Sequence, residues 1–167
     1  MKTNLILVLS AIFSGILTVY LLNIIVNLRI KNKIGDSDNP IALHILKAIL
    51  FSVAGILLQE IATPFQTLIK VLPSTTNGAD LLVQQIMYYS MFLGIVVLLI
   101  FLIIWFSALV FTVTSKGKSI FIEAANNSLG SVIYFAGVVF ALSFAVKSNI
   151  VPLLDVFIPY PTMPIFH

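Results

Sequence analysis

Hydrophobic residues run through this chain in four long stretches separated by short polar ones, and the spacing predicts an all-α protein with four transmembrane helices. The first stretch extends from about Asn4 to Leu28 and meets charge at Arg29. The second opens near Pro40, a residue suited to a first helical turn because its missing N–H would be unpaired there anyway, with Asp38 or Asn39 as the natural cap. It is expected to reach about Thr63, where Pro64 kinks or ends it and leaves Phe65–Leu72 as a short interfacial helix. Pro73–Gly78 reads as a loop. The third stretch begins after Asp80 and reaches about Thr114, with no charged residue from Leu81 to Ser115. A crossing needs about 20 residues, so this helix must tilt or protrude. Its first two turns carry Gln84, Gln85, Tyr88 and Tyr89, which suit the interface.

The fourth stretch runs from about Asn127 to Lys147. Beyond it, Pro152, Pro159, Pro161 and Pro164 argue against one regular helix. The apolar tail, with Phe157, Tyr160 and Phe166, is expected to lie on the membrane or dock onto a partner. The chain thus divides into a first transmembrane hairpin (1–72), an outer loop (73–80), a second hairpin (81–148) and a proline-rich tail (149–167). Met1-Lys2 before an apolar run imitates a secretory leader, but such a core is about 7–15 residues long, so a retained helix is expected.

Composition agrees. Of 167 residues 60% are hydrophobic and 9% charged, too little charge to cover the surface of a soluble domain. The lipid bilayer is therefore the first expected partner. A net charge of +3, without a basic run interleaved with aromatics, argues against nucleic acid. The absence of cysteine excludes thiol chemistry. Basic residues set the orientation: Arg29, Lys31, Lys33, Lys116 and Lys118 in the 1–2 and 3–4 loops stand against Lys2, Lys70 and Lys147 on the other side. Both loops are expected in the cytoplasm, and both termini on the non-cytoplasmic side.

The two halves resemble one another. Lys31-Asn32-Lys33 has a counterpart in Lys116-Gly117-Lys118, each followed by an acidic residue, an Asn and a helix rich in small residues. An offset of 88 residues places Asn39 on Asn127 and Pro64 on Pro152, whereas 89 places Ala48 on Gly137 and Ser52 on Ala141; the two stay open. A parallel internal repeat is expected. On helix 2, His44, Ala48, Ser52, Gly55, Gln59 and Ala62 share one narrow face; on helix 4, Gly130, Tyr134, Gly137, Ala141, Ala145 and Ser148 do the same. Membrane helices associate by close packing at small residues, so these stripes are expected to be where helices 2 and 4 meet protein, with Ser10, Ala11, Ser14 and Thr18 of helix 1 as a partner surface. Ala48, Ser52, Gly55, Gly130, Gly137 and Ala141 are the candidate packing residues.

The stretch from Asn127 to Gly137, Asn-Ser-Leu-Gly-Ser-Val-Ile-Tyr-Phe-Ala-Gly, resembles the repeat of the YjfL-like bacterial inner-membrane family, whose function is not established. Asn39 with Ala42 and Ala48 is the fainter first copy. Pro40, His44 and Lys47 depart from that pattern, standing where the family has apolar or small residues. The resemblance implies two parallel helix pairs in a bacterial inner membrane and implies no activity.

Catalytic patterns are missing. Gly117-Lys118-Ser119 ends like a phosphate-binding loop, but Thr112 stands where the leading Gly is needed. Two histidines, His44 and His167, are too few for a metal cluster, and there is no Gly-x-Ser-x-Gly elbow. No cofactor, metal or enzymatic activity is expected. Asn126-Asn127-Ser128 reads as a helix cap, not a glycosylation acceptor. The remaining candidates are polar groups in the spans, which are costly there and often functional. Lys47 is expected to snorkel to the cytoplasmic headgroups with His44 at the interface; the sharper reading has both at a polar entrance or on an anionic lipid head. Gln59 and Glu60 lie near the opposite surface, with Glu60 about 24 Å along the helix from His44. Lys147 sits at the level of Glu60, and a Glu60–Lys147 clasp between hairpins is expected. The first functional reading is a non-enzymatic membrane subunit or scaffold, assembling with itself or with other membrane subunits. The alternative is a small oligomeric channel or transporter.

Overall fold

The computed structural model describes residues 2–30, 40–74 and 79–160, and its regular elements are all helical. They are α1 (Lys2–Ile30), α2 (Ile41–Leu58), α3 (Ala62–Val71), α4 (Ala79–Thr114), α5 (Ile120–Ala125) and α6 (Leu129–Asp155). Four helical stretches are long and apolar enough to cross a membrane: Ile6–Ile30, Ile41–Val71, Asp80–Thr114 and Leu129–Asp155. Asp38 and Asn39, named as caps, lie outside the described residues, as do residues 75–78 of the outer loop and 161–167 of the tail.

Of the two outcomes expected at Pro64, a kink or an end, the structure shows the kink, with a short helix following it. Pro64 has no N–H to give the carbonyl of Glu60, four residues back, and its ring crowds that carbonyl. The chain absorbs this over Gln59–Ile61, wound as one 3-10 turn, and then continues as α3. Pro64 is thereby seated in the first turn of α3, where its missing donor costs little. Helix 4 likewise does not end at Lys147. α6 carries Pro152 inside it and reaches Asp155, and the turn that follows buries Ile158.

α2, α4 and α6 pack against one another, and α1 is laid against α2, α3 and α5. The core is made by large apolar faces: Leu46, Leu50, Val53 and Leu57 of α2, Phe92, Val96, Ile100 and Phe111 of α4, and Val132, Phe135 and Val139 of α6. Phe111 meets Phe135 edge-on, with centroids 6.3 Å apart. Ser14 and Thr18 of α1 are buried, as the partner surface proposed for helix 1 requires, whereas Ala11 is exposed. Thr18, Ser107 and Ser143 are fully buried, and each donates its hydroxyl to the carbonyl four residues earlier, so none needs a neighbouring helix.

Burial distinguishes the two offsets. A shift of 89 residues carries buried Leu43, Leu46, Leu50, Ala54 and Ile61 onto buried Val132, Phe135, Val139, Ser143 and Ile150. The same shift carries buried Ser14, Thr18 and Leu22 of α1 onto buried Ile103, Ser107 and Phe111 of α4. A shift of 88 would carry Leu46 onto exposed Tyr134 and Leu57 onto exposed Ala145.

The 3–4 loop contains α5, which the hydrophobic pattern does not reveal. It ends in a Schellman arrangement: Ser128 N–H donates to the Glu123 carbonyl (2.9 Å), Asn127 N–H donates to the Ala124 carbonyl (3.2 Å), and Asn127 is left-handed at φ 57°. Asn127 therefore does not cap its own helix through its side chain. Its Oδ1 accepts the N–H of Ala42 at 3.0 Å, capping the first turn of α2 from the other hairpin. Pro40, the residue preceding α2, supplies no side-chain cap. Asn127→Gly keeps the left-handed backbone and loses only this bond, so it should destabilise the folded chain by about 1 kcal/mol. Asn127→Asp keeps the acceptor and should retain most of the stability; thermal unfolding in detergent distinguishes the two.

Candidate functional site

The side chains singled out in the sequence separate into polar ties toward the ends of the bundle and two small-residue faces on its outside. At the end of the bundle away from the 1–2 and 3–4 loops, the 3-10 turn that Pro64 imposes carries Glu60, and the facing turn of α6 carries Lys147. Their charged groups stand 3.4 Å apart, joining the hairpins, with Lys147 about one-third exposed and Glu60 less so. In such a setting an ion pair is worth about 0.2–1 kcal/mol. Nearby, Tyr89 of α4 donates its hydroxyl to the Ser10 carbonyl of α1 at 2.7 Å and packs its ring 4.7 Å from that of Phe65. Gln59 is exposed and borders a cleft of about 340 Å³ between α1 and α2, lined also by Ser14, Gly15, Gly55 and Ala62.

At the opposite end, Lys47 is held. Its ammonium donates to Asn27 Oδ1 of α1 at 2.8 Å, a polar link within the first hairpin. His44 is exposed on the adjacent turn. The structure therefore keeps His44 and Lys47 at one end of α2 and Gln59 and Glu60 at the other. In the 3–4 loop, Glu123 accepts from Ser131 (3.1 Å), which in turn accepts from Ser128 (2.9 Å), and it pairs with Lys118 at 3.5 Å. The Ser131 hydrogen bond, with the Lys118 charge beside it, holds the Glu123 carboxyl below the usual carboxylate value, against the opposing effect of its partial burial.

The small-residue stripes lie outside the packed core of the chain. His44, Ala48, Ser52, Gly55, Gln59 and Ala62 are all exposed, as are Gly130, Tyr134, Gly137, Ala141, Ala145 and Ser148. At about 100° per residue, each stripe lies diametrically opposite the buried face of its own helix. A Cβ added at Gly55, Gly130 or Gly137 would meet nothing within 4 Å. Both faces recur at helical spacing, and within the chain the larger apolar side chains make the better-filled core. The stripes are small on the outside of the molecule.

Among the described residues no three His, Asp or Glu side chains converge as a metal site would require. The ties that sequence reasoning missed involve Asn27, Tyr89, Asn127 and the Glu123–Ser131 pair. Asn27 and Tyr89 carry no local signal, since each acts on a different helix. The sequence places Asn127 at the start of its own helix, whereas its left-handed backbone, a tertiary property, turns its side chain toward α2.

Glu60→Gln should leave the fold intact and lower its stability by less than about 1 kcal/mol, with Lys147→Met giving a similar loss and the double variant little more; a double-mutant cycle by thermal unfolding measures the coupling. Because folding lowers the Glu123 pKa, the associated stability is present above the ordinary carboxylate range and is lost as pH falls through the lowered value. Amide exchange in α5 should accelerate on acidification, and Ser131→Ala should move that transition to higher pH.

No protein-family model matches this chain, and no curated protein and no solved structure matches it at a significant level.

Proposed function

We propose that the chain is a non-enzymatic integral membrane subunit that assembles with further copies of itself, or with other membrane proteins, through the outward faces of α2 and α6. The observation that carries this is the placement of both small-residue stripes on the outside, opposite the packed faces. In lipid an apolar face gains little by leaving its solvent, whereas a face of Gly, Ala and Ser lets a second backbone approach closely and gain dispersion contacts. Ala48, Ser52 and Gly55 on α2, with Gly130, Gly137 and Ala141 on α6, form that surface. Glu60–Lys147 acts as a clasp within the subunit and not as a transport site. The fold and the resemblance to the YjfL-like family support a bacterial inner membrane. The basic residues of the 1–2 and 3–4 loops support termini on the non-cytoplasmic side.

A second reading has one specific observation behind it. The exposed α2 stripe also carries His44, Ser52 and Gln59, so copies meeting through α2 around a central axis would line a small channel with polar groups.

Single-molecule subunit counting in bilayers tests assembly. The unaltered chain should be oligomeric, and Ala48→Leu with Gly137→Leu should weaken association by about tenfold or more while the helix content is kept. An unchanged oligomer in the double variant would sink the proposal. Ion or solute flux from vesicles, abolished by Gln59→Leu, would instead select the channel.

A further inference from the structure

The inner ends of α1 and α4 do not close on one another. Between them and α5 runs a groove of about 350 Å³, lined by Ile25 and Arg29 of α1, Trp105 and Thr112 of α4, and Ser119 and Phe121 at α5. Its lining changes in character along its length. Toward the middle of the span it is Phe101, Ile104 and Trp105; toward the loop it is Thr112, Ser119 and Arg29. From Phe101 to Thr112 the helix rises about 16 Å, close to the roughly 15 Å hydrocarbon depth of one leaflet.

No carboxylate is among the groove's lining residues, and among the described residues Arg29 has neither a hydrogen bond nor an ion pair. The acidic side chain of the adjoining loop is already committed: the two oxygens of Glu123 take Lys118 and Ser131. Lys116 lies in the short segment between Thr112 and Ser119, adding positive charge near the polar mouth, whereas Lys118 is paired with Glu123. A guanidinium with no ion pair among the described residues, at headgroup level above an apolar slot one leaflet deep, complements an amphiphile with an anionic head. A guanidinium binds phosphate in a planar fork that an ammonium does not reproduce.

We propose that the α1–α4–α5 groove is a binding site for an anionic phospholipid of the leaflet at the loop end of the bundle. Arg29 holds the phosphate-bearing head, and an acyl chain lies along Trp105. The site is independent of the assembly faces on α2 and α6.

Trp105 is the one tryptophan in the chain, so its fluorescence reports on the groove directly. The protein is reconstituted in phosphatidylcholine vesicles containing a minor fraction of either phosphatidylglycerol or phosphatidylcholine brominated along the acyl chains. Brominated phosphatidylglycerol should quench Trp105 with about fivefold higher apparent affinity than brominated phosphatidylcholine, the factor one interfacial cation supplies. That preference should fall as salt is raised. Arg29→Gln should reduce it to near parity, Arg29→Lys should keep part of it, and Lys70→Gln at the far end should leave it unchanged. Equal quenching by the two lipids, or a preference that survives in folded Arg29→Gln, overturns the proposal. Should Arg29→Gln fail to fold, the salt titration of the unaltered protein decides alone, and a salt-independent preference counts against the site.

Discussion

The structure follows from the absence of water along the spans. A backbone polar group in hydrocarbon has no solvent to turn to, so each crossing must close its hydrogen bonds within itself, and only a helix does so with one segment. The same pressure reaches the side chains. Thr18, Ser107 and Ser143 are buried in the bundle, yet each returns its hydroxyl to its own helix. The mid-span core is left to Leu, Val, Ile and Phe packing, while bonds between helices gather toward the ends: Lys47–Asn27 and Asn127–Ala42 at one, Glu60–Lys147 and Tyr89–Ser10 at the other.

Proline shows the same logic where the rule is strained. Pro64 and Pro152 each remove a backbone donor, yet neither ends its helix. The missing bond falls on the carbonyl of Glu60 in one case and of Ser148 in the other, both near the same end of the bundle, where the ties and the interface can accommodate an irregular turn. The 3-10 turn at Gln59–Ile61 has a further effect: it sets the direction of Glu60, so the distortion caused by Pro64 and the ion pair to Lys147 are parts of one local arrangement.

Much of this fold was legible because a span is a long signal. Four apolar stretches with few charges are read from hydropathy alone, and the length of α4 beyond one crossing is a matter of counting. The Glu60–Lys147 level could be read too, since depth along parallel helices follows residue number at 1.5 Å each. What could not be read was which face of each helix points inward. In a soluble protein the polar face points out; here both faces of α2 are apolar or small, and periodicity marks the stripes without saying on which side they lie. Helix ends failed for a related reason, since a proline near the interface can be absorbed by tertiary contacts the local sequence does not contain. α5, six residues long, is shorter than any pattern that periodicity can detect.

The burial pattern has a consequence for assembly. The offset of 89 residues carries part of the buried face of α2 onto that of α6 and part of α1 onto α4, while buried Ile100 falls on exposed Ala11. α2 and α6 turn their packed faces toward the interior they share, so their stripes look away from it on opposite sides. In the proposed assembly, a chain with two like surfaces facing apart is bivalent. Contacts between like stripes on neighbouring copies would each have local two-fold character but would leave a second stripe open on every chain. Such association closes only as a ring, or extends as a row in the membrane plane, unless a different partner covers one face. A discrete dimer that left one stripe in lipid would therefore argue that α2 and α6 have diverged in use. Gly55, which corresponds to the bulky Phe144 under the same offset, is the position where the α2 stripe is smoother than its counterpart.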